Sequence, residues 1–192
     1  MKKIILQILF IFFIFPAFSE TKIKALSEGN IDAKIEIIVF ESLTCVHCAN
    51  FHEEIYPQLK KNFIDKGIAK IEFRNFPLDL AALNASKISH CKNDGKPEIL
   101  HFLFKNQKRW AKGSTVEEFN KNLKEVVNNQ KFGIDFDKCL NNKKIEDFVL
   151  EDRINGVKKF NVNATPTIII NNKKFDKTLN YKNLKKTIEK LI

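Results

Sequence analysis

The sequence predicts an α/β fold in which a helical block is inserted between a strand–helix–strand unit and a closing ββα unit. Three observations carry that prediction. Ile35–Glu41 (IEIIVFE) is a near-continuous β-branched run that reads as a buried strand and is followed at once by helical spacing. Residues of about 78–145 show helical apolar spacing and no comparable strand-like run. Thr167–Ile170 (TIII) returns to β character, and an amphipathic stretch ends the chain.

The elements follow in order. After the first strand, Cys48, Phe51, Ile55, Leu59 and Phe63 recur at spacings of 3, 4, 4 and 4, the mark of a helix with one apolar face ending at Gly67. Pro57 inside it predicts a kink. Residues 68–76 (IAKIEFRNF) alternate as a second strand and complete a βαβ unit. In the middle, Asp79 is read as the cap of a helix reaching Cys91, with Leu80, Leu83 and Ile88 facing inward. Pro97 suits the first position of a helix running to about Trp110. Ser114-Thr115-Val116-Glu117 has the capping-box pattern ahead of Phe119, Leu123 and Val126. A short helix is expected near residues 135–140. Ile145, Phe148, Val149 and Val157 mark another to about Phe160. Asn171-Asn172 is a turn, residues 173–175 a return strand, and Tyr181, Leu184, Ile188 and Leu191 a closing helix.

A chain of 192 residues fits one domain with an insertion. Apolar residues are 44% and charged residues 29%, enough for a packed core and against wholesale disorder. The net charge of +10 comes from lysines scattered along the chain with no block of five, which argues against a nucleic-acid partner.

Met1-Lys2-Lys3, a twelve-residue apolar run to Phe15 broken only by Gln7, and Ala17-x-Ser19 form a signal-peptide pattern. The run is short for a spanning helix, which needs about 20 residues. Cleavage is expected after Ser19, leaving residues 20–192 exported from the cytoplasm; an uncleaved anchor is the other reading.

Four cysteines stand at 45, 48, 91 and 139. In an exported protein an even count suggests disulfides. Cys45 and Cys48 form a C-x-x-C between a strand and a helix. Cys45 lies where unpaired helix N–H groups and the dipole favour a thiolate, with Thr44 as a possible cap of that turn. His47, between the two cysteines, would stabilise the anion further. A stabilised thiolate leaves readily and stabilises the reduced form, so the Cys45–Cys48 disulfide would be a strong oxidant. One C-x-x-C without a second pair is a poor zinc site, and no metal or other cofactor is expected beyond the redox-active disulfide. Cys91 and Cys139 are read as a structural disulfide, with two reduced buried thiols as the alternative. The bridge would close a loop of 48 residues and contribute roughly 4 kcal/mol by loop entropy. His52 is expected to face solvent, and His101 and Trp110 to serve packing.

Strand, Cys45-Val46-His47-Cys48, proline-containing helix, strand, helical insertion and Ala164-Thr165-Pro166-Thr167 before a ββα end together resemble the thioredoxin superfamily. Within it the chain is similar to the DsbA-like thiol:disulfide oxidoreductases of the bacterial envelope, over residues of about 35–192. The resemblance implies a thioredoxin-like fold with an inserted helical subdomain. It implies that Cys45 is the exposed nucleophile, and that Pro166 is a cis-proline beside it which, with Thr165, binds the substrate chain. The family often has Pro where Val46 stands and a buried acid six residues before the first cysteine. That position is Val39 here. Glu41, two residues on, shares its strand face and is read either as the proton relay or as a strand-end carboxylate paired with a lysine.

The function expected is periplasmic oxidation of cysteines in unfolded exported proteins by a monomer that a membrane thiol oxidase regenerates. A disulfide isomerase or reductase on the same fold is the nearest alternative, and a zinc or chaperone-type binding module a more distant one. Such isomerases usually carry an N-terminal dimerisation domain, and only residues 20–34 precede the first expected strand.

Overall fold

The computed structural model describes residues 22–192. The signal segment read at residues 1–19 lies outside the described residues.

Five strands form one sheet in the order β1-β3-β2-β4-β5. They are β1 (Leu26–Gly29), β2 (Ile35–Glu41), β3 (Ala69–Asn75), β4 (Thr167–Ile170) and β5 (Lys173–Lys174). β2 runs parallel to β3 and antiparallel to β4, while β1 lies antiparallel to β3 at the edge. β2 is central and covered on both faces, which explains its unbroken apolar run. Ile35, Ile37 and Val39 enter the larger core, and Ile38 and Phe40 a smaller one with Phe76, Val162 and Ile169. Glu41 has the parity of Val39, so its carboxylate belongs to the larger core.

The helix after β2, α1, runs through residues 46–64 as two α segments (Val46–Asn50, Tyr56–Leu59) and two π turns (Phe51–Ile55, Lys60–Ile64). Pro57 has no N–H to give and crowds the preceding turn, and the widened turn before it absorbs both defects. A π turn adds a residue, so the buried series runs Phe51, Tyr56, Leu59, Phe63 and Ile64. Ile55, expected to face inward, is only half-buried, and Tyr56 takes its place.

The insertion comprises α2 (Leu80–Ser89), α3 (Glu98–Lys105), α4 (Gln107–Trp110), α5 (Val116–Asn128) and α6 (Phe136–Leu140). α7 (Lys143–Phe160) leads back to the sheet, so the limit expected at about 145 falls in its first turn. Asp79 caps α2 by accepting from the Ala82 N–H at 2.7 Å. Leu80, expected inside, is 60% exposed, because Ala81, Ala82 and Ala85 form the packing face instead. Pro97 is the N-cap of α3 rather than its first residue. The box before α5 is offset by one: Thr115 accepts from Glu118 N–H, and Glu118 reaches back to Ser114 N–H. Val157, on the outer side of α7, is 48% exposed. Asn171 and Asn172, at φ +46° and +63°, make the two-residue β4–β5 hairpin turn. α8 (Tyr181–Glu189) closes the fold with Leu184 and Ile188 buried.

The strand β1 has no counterpart in the expected elements. Its sequence LSEG has no β-branched residue, and only the unpaired edge of β3 makes it a strand.

Candidate active site

β2 delivers the chain to Cys45, the N-cap of α1, with extended backbone (φ −76°, ψ 119°). The N–H groups of Cys48 and Ala49 bond the Cys45 carbonyl, both at 3.1 Å, and this holds the first turn. Thr44 does not cap it. Its hydroxyl donates instead to Asp79 at 2.7 Å, tying the active turn to the start of the insertion. Gln107, buried in α4, donates to the carbonyls of Leu43 and Cys45 at 2.8 and 3.0 Å and fixes the turn from the other side.

Cys45 and Cys48 are unbridged, Cys45 half-buried and Cys48 fully buried. The Cys45 thiol is lowered from an ordinary 9.0 to about 5. The Cys48 thiol contributes most, against the opposing effect of burial. Thr165 follows, then the backbone N–H groups of Cys48 and His47. The sulfur lies at the helix N-terminus, where negative charge is favoured by the dipole, without making a capping hydrogen bond of its own. His47 enters this set through its backbone and is itself exposed. Cys48 moves the other way, raised far above an ordinary thiol, first by burial and then by its bond to Cys45.

The Thr165–Pro166 peptide is cis, and the Cys45 thiol donates to the Thr165 carbonyl at 3.3 Å. The fold thus brings together two segments 120 residues apart in sequence. The Thr165 hydroxyl is buried beside Cys45, and it is this side chain that favours the thiolate.

Glu41 is buried, and desolvation followed by the nearby Cys45 sulfur raises its pKa well above the usual carboxylate range. Among the described residues its side-chain partner is His52 rather than a lysine. Its Oε2 meets His52 Nε2 at 2.7 Å, and its Oε1 is buried without a partner. His52, expected at the surface, has a side chain only 5% exposed, stacked on Phe104 at 4.1 Å. Burial lowers it to about 3. The signal for this was present: His52 is four residues after Cys48 and so on the same helix face. Gln107 carries no comparable signal, since its role depends on how α4 docks.

Cys91 and Cys139 are joined as a disulfide with Cα atoms 5.5 Å apart, linking the turn just after α2 to α6. Among the described residues no group of three or more His, Cys, Asp or Glu side chains could hold a metal ion. Among them, too, no helix is long and apolar enough to cross a membrane.

A family model described as Thioredoxin matches residues 21–190. The chain belongs to the thioredoxin family. It is 28% identical over 148 residues to a putative protein-disulfide oxidoreductase of Rickettsia bellii, covering 74% of this chain and 55% of that protein. It is 27% identical over 179 residues to disulfide bond formation protein D of Bacillus subtilis, covering 84% of this chain and 74% of the relative. The chain therefore spans about half the length of the Rickettsia relative. Among solved structures, alpha-DsbA1 of Wolbachia pipientis superposes with a TM-score of 0.73 at 28% identity, over 87% of this chain and 90% of that one. The similarity to DsbA proteins extends through the helical insertion, and the five-stranded sheet with its inserted helices is thioredoxin-like.

Proposed function

We propose that this protein is a thiol:disulfide oxidoreductase acting as a dithiol oxidase on exported proteins. The carrying observation is the asymmetry of the two thiols: Cys45 lowered to about 5 at a helix N-terminus, and Cys48 buried and raised. A low-pKa sulfur is a good leaving group, and a stabilised thiolate favours the reduced enzyme, so the disulfide gives up its oxidising equivalents readily. The protein-disulfide oxidoreductase and disulfide-bond-formation names of the relatives support the same reaction.

A substrate thiolate attacks Cys45 Sγ, the Cys45–Cys48 bond breaks, and Cys48 leaves and takes a proton. A second substrate thiolate attacks the substrate sulfur of the mixed disulfide and expels the Cys45 thiolate. The substrate loses two electrons and the enzyme pair gains them. In this reading Thr165 and Pro166 receive the substrate backbone beside Cys45, as an added strand is received at a sheet edge. Glu41 supplies the proton to Cys48. The Cys91–Cys139 bridge is structural. The protein works outside the cytoplasm, in the periplasm, as a monomer, and a membrane thiol oxidase restores its disulfide. The signal pattern in residues 1–19 motivates that location.

The deciding experiment is equilibration of residues 20–192 with glutathione redox buffers, paired with refolding of reduced and of scrambled ribonuclease. A poise far more oxidising than thioredoxin's, with oxidation outrunning reshuffling, is expected. A reducing poise, or faster reshuffling, assigns the protein to the isomerase or reductase class instead.

A further inference from the structure

Cys48 is 0% exposed and Glu41 4%, yet each catalytic half-reaction must move a proton to or from the Cys48 sulfur. Beyond Glu41 the structure continues in a polar line through an otherwise aromatic core, hydrogen-bonded as far as His101 and then separated from Glu28 by a 4.0 Å gap. His52 Nε2 meets Glu41 Oε2 at 2.7 Å. His52 Nδ1 meets His101 Nδ1, from α3, at 3.1 Å. His101 Nε2 is buried without a hydrogen bond and faces Glu28 Oε1, on β1, at 4.0 Å. Glu28 accepts from the Tyr56 hydroxyl and lies 3.7 Å from Lys60 Nζ. The side chains of His101 and Glu28 are 26% and 24% exposed, so the line ends at water. The other surfaces of His52 are covered by the rings of Phe51, Phe73 and Phe104.

We propose that His52 and His101 carry protons between Glu41 and solvent at Glu28, the two imidazoles exchanging tautomers in each half-reaction. This rests on the reading of Glu41 as the proton donor to Cys48. Among the described residues neither histidine is hydrogen-bonded to a sulfur, so both act through Glu41.

The geometry admits two arrangements. A bond between two Nδ1 atoms holds one proton, so whichever ring carries it, the other must be bare there. In the first arrangement His101 donates from Nδ1, His52 donates from Nε2 to Glu41 Oε2, and the Glu41 proton sits on Oε1. When Cys48 leaves as a thiolate, the Oε1 proton passes to its sulfur. Glu41 takes the His52 Nε2 proton, His52 Nδ1 takes that of His101, and His101 Nε2 takes one from the solvent side. One proton has entered, Cys48 is a thiol, and no charge remains on the line. The second arrangement is now in place, with His101 Nε2–H directed at Glu28. When the disulfide is re-formed the Cys48 proton leaves by the reverse steps and the first arrangement returns. Burial keeps both rings neutral, with His52 lowered to about 3 and His101 to about 4, so each offers one donor and one acceptor at neutral pH.

The test is the rate at which dithiothreitol reduces the Cys45–Cys48 disulfide, followed by Cys45 thiolate absorbance in light and heavy water. His52→Asn, His101→Gln and Glu41→Gln are expected to slow it by about a hundredfold, near the low end of general acid catalysis, with an enlarged solvent isotope effect. Added imidazole is expected to restore His101→Ala, because a cavity of about 470 Å³ lined by His52 and His101 adjoins the line. A slow Glu41→Gln beside histidine variants at the parental rate overturns the inference and leaves Glu41 as donor. Parental rates in all three overturn both. Slowing without an isotope change and without imidazole rescue reduces the histidines to packing and also overturns it. Should His52→Asn not fold, the partly exposed His101 carries the same test.

Discussion

Cys45 shows how far placement can change a residue. Its thiol is lowered from 9.0 to about 5 by its neighbours, so the reduced protein holds a thiolate that the unfolded chain protonates until the pH is much higher. A depressed folded value stabilises the reduced state fully above pH 9 and loses that contribution as pH falls through 5. Urea unfolding of the two redox forms should therefore show the reduced form more stable at pH 7, with the gap closing toward pH 5. An equal midpoint at pH 7 would remove the reading of a stabilised thiolate. Cys45→Ser should abolish dithiol oxidation, while Cys48→Ser should accumulate mixed disulfides on non-reducing gels. Gln107 is the silent partner of this turn. Gln107→Ala strips the buried carbonyls of Leu43 and Cys45 of a donor and should cost on the order of 2 kcal/mol, measured by chemical denaturation, with a smaller loss for Gln107→Glu only at low pH.

Elements dock through a few exact fits. Gly156 lets α7 lie against the sheet: a Cβ there would meet Phe40 Cε1 at 2.8 Å. Phe40 is itself held between Phe160 and the small core, so it has little room to yield. Gly156→Ala gains helix propensity but should still lower stability by about 1–3 kcal/mol from overpacking, seen as an earlier denaturation midpoint. The Cys91–Cys139 bridge acts at the same scale by tying α2 to α6 across 48 residues. Replacing both cysteines with serine should cost about 2–4 kcal/mol and leave oxidation by Cys45–Cys48 in place, which separates a structural bridge from a catalytic one.

Across the whole molecule, buried polar chains join parts that the hydrophobic core alone would leave free to slide. Asp152 on α7 accepts from Arg74 at 2.7 Å and from both the backbone and side chain of Asn75. Asn75 also donates to His90 after α2, and His90 reaches the Lys24 carbonyl in the N-terminal segment. Asp152→Ala would strand all of these donors and should destabilise the fold by on the order of 3 kcal/mol. Acid should act on the same scale. Burial lowers His52 to about 3 and His90 and His101 to about 4, so below pH 6.5 the unfolded chain binds protons that the folded one refuses. The folded values are depressed, so stability falls as pH drops from 6.5 toward 4, by up to about 1.4 kcal/mol per unit for each histidine. Thermal melts of the Glu41→Gln protein, which lacks the opposing raised carboxyl, should decline steeply across that range; a flat profile there would mean that these imidazoles are not held neutral.

The sequence by itself determined whatever depends on near neighbours. The β-branched run Ile35–Glu41 read as a buried strand, Cys45-x-x-Cys48 directly after it put a thiol at a helix N-terminus, and Asn171-Asn172 read as a turn. These follow from local periodicity, steric preference and the helix dipole, which a short window contains. Tertiary structure decided whatever depends on a distant partner. β1 is a strand only because β3 offers an open edge. The π turns moved Tyr56 into the place foreseen for Ile55, and Leu80 yielded its inward position to alanines that pack closer. His52 left the solvent because Glu41 and His101, from two other elements, complete its hydrogen bonds inside. A polar side chain is buried only where partners await it, and those partners are set by the packing of the whole chain rather than by the residues beside it.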